Sequence, residues 1–173
     1  MNRHQEKAAL NIYQRRKTST DCAYLLGFFY HYGIGFDGKC DYDQAYRLYK
    51  YAADDDNSFA NIQIGELYQD ARDHKAAVGS CRKAAILGHP QGAFKYSLFL
   101  SYPKSIYWVQ KSAEGGFEAA QCDMVYRYCN GSGVLRDQHR ALYWILKSVK
   151  NEKFGNIFIF IIHVALVKPD MLG

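Results

Sequence analysis

The chain has 173 residues, of which 49% are hydrophobic, 16% aromatic and 23% charged, with 10 Phe, 15 Tyr and only 3 Pro. That is enough for one domain with a real core, and it excludes a disordered tail or a collagen-like fibre. The formal net charge of +5 divides into +4 over residues 1–20, −3 over 21–88 and +4 over 89–173, and no run of Lys or Arg interleaved with aromatics marks a nucleic-acid groove.

Read in chain order, the sequence alternates two kinds of helix, A and B. The first A segment places Cys22, Leu26, Gly27 and Tyr30 on one face at 3.6 residues per turn. The first B segment does the same with Ala45, Leu48, Tyr49, Ala52 and Ala53. The second A segment repeats the face with Ala60, Ile64, Gly65 and Tyr68, and its B segment starts at Ala77. A third A segment starts at Gly92. The third B segment opens at Pro103, a residue suited to a first helical turn, and carries Ser105, Trp108, Val109, Ser112 and Ala113. The fourth pair has Ala120, Met124, Val125 and Tyr128, then Ala141, Trp144, Ile145, Ser148 and Val149. Residues 154–167 form the one strongly apolar run. At 14 residues it is shorter than the roughly 20 that span a bilayer, so a buried terminal helix is expected, with a strand as the alternative.

These segments share a register. Fifteen positions after Ala45, Ala77, Ser105 and Ala141 stand Ala60, Gly92, Ala120 and Asn156; seven positions after them stand Ala52, Ala84, Ser112 and Ser148. Eight positions after Cys22, Ala60, Gly92 and Ala120 come Tyr30, Tyr68, Leu100 and Tyr128. Only the A-to-B distance varies, so the period drifts through 38, 32, 28 and 36. A packed junction tolerates no insertion, whereas a surface loop tolerates many. The pattern therefore predicts an all-α solenoid of helix pairs with its A–B loops along one edge.

Gly88 and Gly116 fall where a helix C-terminus takes a left-handed residue, and Asn57 or Ser58 is placed to cap the second A helix. Tyr32-Gly33-Ile34-Gly35 and Cys129-Asn130-Gly131-Ser132-Gly133 occupy matching places after their A helices. They read as turns rather than phosphate loops, because no strand precedes them. The six His show no i, i+4 pairing, the Cys show no C-x-x-C spacing, and Asp54-Asp55-Asp56-Asn57 lacks the alternation of a calcium loop. No Ser is flanked as a nucleophile elbow. No catalytic constellation, metal site or cofactor is expected, and the chain reads as a non-enzyme. The odd count of five Cys and the absence of an apolar signal-peptide core at the N-terminus point to a reducing, cytoplasmic location.

The units LLGFFYHYGIG…DYDQAYRLYKYAA (25–53) and MVYRYCNGSGVLRDQHRALYWILKSV (124–149) resemble Sel1-like repeats, a family related in fold to tetratricopeptide arrays. The second unit lacks the Gly-x-Gly, and the third replaces Leu-Gly by Tyr96-Ser97. The resemblance implies an α/α superhelical solenoid of about four antiparallel helix pairs. Its units run over 21–56, 57–88, 89–116 and 117–152 within one solenoid domain. A basic N-terminal half unit occupies 1–20, with its B helix at 5–16, and a divergent capping helix or half repeat occupies 153–173. Some secreted members carry a disulfide in every repeat; Cys22, Cys40, Cys81, Cys122 and Cys129 do not recur with the repeat, so that subtype is not expected.

The resemblance also implies an adaptor or scaffold, in which the A helices line a concave face. Outward positions then follow from register: Tyr24, Phe28, His31 and Tyr32 in the first unit; Ile62, Glu66, Gln69 and Asp70 in the second; Phe94 and Leu98 in the third; and Tyr126 in the fourth. Rings dominate binding hot spots, so this groove suits a peptide or helix of a protein partner. The alternative is a structural fragment of a larger repeat or signalling assembly, stacking or self-associating through residues 154–167.

Overall fold

The computed structural model describes Asn11 and residues 19–149. Among these residues there are eight helices and no strand: α1 (Thr20–Tyr32), α2 (Tyr42–Ala53), α3 (Ser58–Asp70), α4 (His74–Ile86), α5 (Pro90–Ser97), α6 (Lys104–Glu114), α7 (Glu118–Asn130) and α8 (Gln138–Val149). They fall into two compact units, the first ending at Tyr96 and the second beginning at Ser97. In the first, α1 packs on α2, α2 on α3 and α3 on α4; in the second, α6 packs on α7 and α7 on α8. The expected half unit at 1–20 and the segment 153–173, with its apolar run 154–167, lie outside the described residues. No described helix is long and apolar enough to cross a membrane.

The small residues that set the register are the most deeply buried atoms of the fold. Ala45, Ala52, Ala60, Ala77, Ala84 and Ala120 are all 0% exposed. Without bulky side chains, the helix axes approach closely, and the larger partners of each face fill the remaining space: Tyr49, Met124 and Val109 are fully enclosed. Within the first hairpin α1 and α2 meet closely at Gly27, where a β-carbon would stand 2.8 Å from the Tyr49 ring and 3.3 Å from the Ala45 carbonyl oxygen.

Each B-to-A junction is the same turn. The backbone N–H groups of Asn57, His89 and Phe117 donate to the carbonyls of Ala52, Ala84 and Ser112, at 3.2, 3.1 and 3.1 Å. One residue earlier the chain turns left-handed, at Asp56 (φ 58°), Gly88 (φ 81°) and Gly116 (φ 90°). Asn57 caps α3 as expected, its side chain accepting from the Ala60 N–H at 2.9 Å.

The hairpin tips differ in length but close alike. The Asp41, Asp73 and Asp137 N–H groups donate to the carbonyls of Tyr30, Tyr68 and Tyr128, at 2.9, 2.8 and 3.0 Å. The same aspartates cap the B helices, accepting from the N–H groups of Gln44, Ala76 and Arg140 at 2.9, 3.0 and 3.0 Å. Gly33 (φ 65°) and Gly131 (φ 72°) end α1 and α7 as the turn reading requires. The third A helix departs from the expectation. It ends at Ser97, so Leu98 and Leu100 stand beyond it, because only four residues separate Leu100 from Ser105 and the chain must reverse in that space.

Candidate partner-binding face

Helix α1 presents a strip of rings. The Phe28 and Tyr32 centroids lie 4.5 Å apart, and Tyr32, half exposed at 49%, stacks on the His31 imidazole at 4.4 Å with 16° between planes. Tyr24, half-buried, leans on Tyr49 at 5.9 Å and on Phe59 at 5.8 Å. From α3 come half-buried Glu66 and Gln69 and exposed Asp70. Glu66 is paired with Lys95 of α5 at 3.0 Å. Burial, followed by the Glu66 and Asp70 carboxylates, raises the Tyr32 phenol above its ordinary pKa, while Lys95 opposes them. Charges of α3 and α5 thus face the ring strip of α1.

Two of the anticipated residues are not outward. Ile62 is 2% exposed, because α3 has packing partners on both sides, α2 and α4. His31 is 8% exposed, enclosed by the rings of Tyr32, Tyr42 and Tyr49 at 4.4, 5.6 and 6.0 Å. Its Nδ1 lies 3.3 Å from the Tyr49 hydroxyl. Burial pushes the Tyr49 phenol far above its usual pKa, so the hydroxyl keeps its proton beside the imidazole. Burial also lowers the His31 pKa, against the pull of Glu66 and Asp70. Both residues support the face from beneath.

Phe94 is half-buried on α5. Leu98 and Tyr126 belong to the second unit; Leu98 is 65% exposed just past α5, and Tyr126 is 61% exposed on α7. Sequence reasoning missed Phe59, which is 51% exposed and edge-on to His89 at 4.5 Å. It also missed the capping aspartates, although an Asp four places before Ala45, Ala77 and Ala141 was a legible signal. A cavity of about 630 Å³ opens between α2 and α3, lined by Tyr42, Asp43, Tyr46, Leu67, Tyr68, Asp70 and Ala71; of these only Asp70 was anticipated. The described residues hold no cluster of three metal-ligating side chains.

Helix hairpins repeated in fixed phase define an all-α repeat solenoid. The chain belongs to the Sel1 repeat family, which matches residues 20–57, 93–117 and 118–152, more than half of its length. It is similar to the crystal structure of a Sel1 repeat protein from Oxalobacter formigenes, with a TM-score of 0.83 and 21% identity over 96% of this chain and 75% of that one. It is also similar to a protective antigen present in uropathogenic Escherichia coli strains that displays an SLR fold, with a TM-score of 0.77 and 27% identity over 91% of this chain. It spans 37% of that antigen. No curated protein matches the chain significantly. Sel1 repeat folds are commonly scaffolds for protein–protein interaction.

Proposed function

We propose that this protein is a non-enzymatic scaffold that holds a peptide or helix of a partner protein against the shared face of α1 and α3. The observation that carries the reading is the Phe28–Tyr32 ring pair, half open to solvent, set beside the Glu66 and Asp70 carboxylates. Packed rings supply apolar anchoring at low entropic cost, and the flanking charges select a partner's register. Tyr24 leans on the fully buried Tyr49 and serves both core and face. The five free thiols, one of them buried at Cys81, fit a cytoplasmic location.

The test is affinity capture with the purified chain, its Tyr32→Ala, Glu66→Gln double variant and a Tyr107→Ala control on the exposed surface of α6. A genuine partner is lost with the double variant, whose affinity falls about tenfold or more, and is kept by the control. Equal capture by all three proteins overturns the assignment.

A further inference from the structure

The helix pairs α2–α3 and α6–α7 are joined by the same turn in the two units, and the end of the α6–α7 pair away from that turn already holds a cation. In the second unit, the Arg127 guanidinium lies over the Tyr102 ring, 5.4 Å from its centroid. Its Nη1 donates to the Tyr102 hydroxyl at 2.8 Å, and its Nε donates to Asp123 at 2.5 Å. The loop after α7 crosses the same place: a β-carbon on Gly133 would run into the Tyr102 ring and the Ile106 side chain. That end is therefore filled from within.

Register gives the first-unit counterparts without ambiguity. Tyr42 stands where Tyr102 does, three residues before Ala45 and Ser105, and Tyr46 stands for Ile106. Tyr68 stands for Tyr128, eight residues after Ala60 and Ala120. The Tyr that received the guanidinium is kept, but Arg127 is replaced by Leu67, so the cation is gone. Asn130 becomes Asp70 and Pro103 becomes Asp43, which adds two carboxylates, while the Asp123 that pairs with Arg127 becomes Gln63. The crossing loop is gone too, since Ala71, Arg72 and Asp73 alone separate α3 from α4. What these exchanges leave is the cavity of about 630 Å³, walled by three tyrosines and edged by two carboxylates, with no basic side chain among its described lining residues. The Tyr46 and Tyr68 hydroxyls are engaged with each other at 2.7 Å, which keeps that wall fixed.

We propose that the α2–α3 cavity is a docking site for an arginine side chain of a protein partner. The guanidinium lies on Tyr42, as that of Arg127 lies on Tyr102, and Asp43 and Asp70 answer its charge. A planar, weakly hydrated guanidinium gains more from an aromatic face next to carboxylates than an ammonium does. The site shares only Asp70 with the α1–α3 face and stands whether or not that face binds anything.

The experiment is a titration of the full ¹⁵N-labelled chain with N-acetyl-arginine N-methylamide, followed by amide shifts. The citrulline and lysine analogues serve as uncharged-isostere and ammonium controls. Saturable shifts confined to Tyr42, Asp43 and residues 67–71 are expected, with the citrulline analogue weaker by about tenfold. Leu67→Arg, which restores the built-in cation, abolishes the shifts, and Asp43→Asn with Asp70→Asn weakens binding about tenfold. The proposal is overturned by the absence of saturation, by equal binding of the citrulline or lysine analogue, or by wild-type affinity in Leu67→Arg with unchanged circular dichroism. Should Leu67→Arg not fold, wild-type affinity in the Asp43, Asp70 double variant overturns it by itself.

Discussion

Gly92 lies against Ala84 so closely that a β-carbon at 92 would come within 2.5 Å of the Ala84 methyl and 2.9 Å of its backbone carbon. Backbone cannot swing aside as a side-chain tip can, so Gly92→Ala forces α5 away from α4 and is expected to destabilise by about 1–3 kcal/mol. Gly79 provides the contrast. It sits inside α4 with nothing within 4 Å of an added β-carbon, so Gly79→Ala is expected to stabilise by about 0.5–1 kcal/mol through helix propensity. Urea unfolding of the two variants checks both signs.

Asp56 holds the left-handed position that glycine holds at Gly88 and Gly116. A side chain there is strained, although Asp bears the strain better than most residues. Asp56→Gly is expected to raise stability by up to about 1 kcal/mol. The reverse change, Gly88→Ala, lowers it by a similar amount although open space surrounds the site. Thermal midpoints of the two variants measured side by side decide the point.

Asp73 both accepts from the Ala76 N–H with its side chain and donates its own N–H to Tyr68. Asp73→Ala removes only the first bond and is expected to cost about 1 kcal/mol. Asp73→Asn, which keeps an accepting oxygen, recovers most of the loss. Hydrogen exchange of the first turn of α4 locates the effect.

The His31 pKa is lowered by burial, with the carboxylates of Glu66 and Asp70 pulling the other way. The unfolded chain therefore takes up a proton at a higher pH than the folded one. His31 thus contributes stability above the ordinary histidine pKa of about 6.5, and that stability is lost as pH falls through the folded value. His89, also lowered by burial, acts in the same direction. The thermal midpoint is expected to drop between pH 7.5 and pH 5, by less in His31→Gln. NMR titration of the ring should find Glu66→Gln moving the His31 pKa further down.

Much of this fold was legible because its most constrained positions are its smallest residues. Ala52 and Ala60 advertise a packed junction by identity and spacing alone, and they do sit in one buried cluster. The hairpin closure was not legible, because its acceptor is the backbone carbonyl of Tyr30, Tyr68 or Tyr128, which no side chain announces. Nor does helical phase alone separate a ring that faces solvent from one that supports it. His31 and Tyr32 are neighbours in sequence, yet three rings bury the first while the second stays half open. Leu98 was misplaced for a simpler reason: the helical register was extended past the point where α5 stops.

The bond from each tip aspartate back to its tyrosine carbonyl pins the two ends of the tip together. Ten residues separate the bonded pair in the first hairpin, four in the second and eight in the fourth, and chain entropy grows slowly with such length. Each tip closed in this way can thus take added length in its exposed part. Residues inserted beside exposed Lys39 and Cys40 should leave the helices beneath them undisturbed, so lineages sharing this scaffold are free to lengthen what they display there.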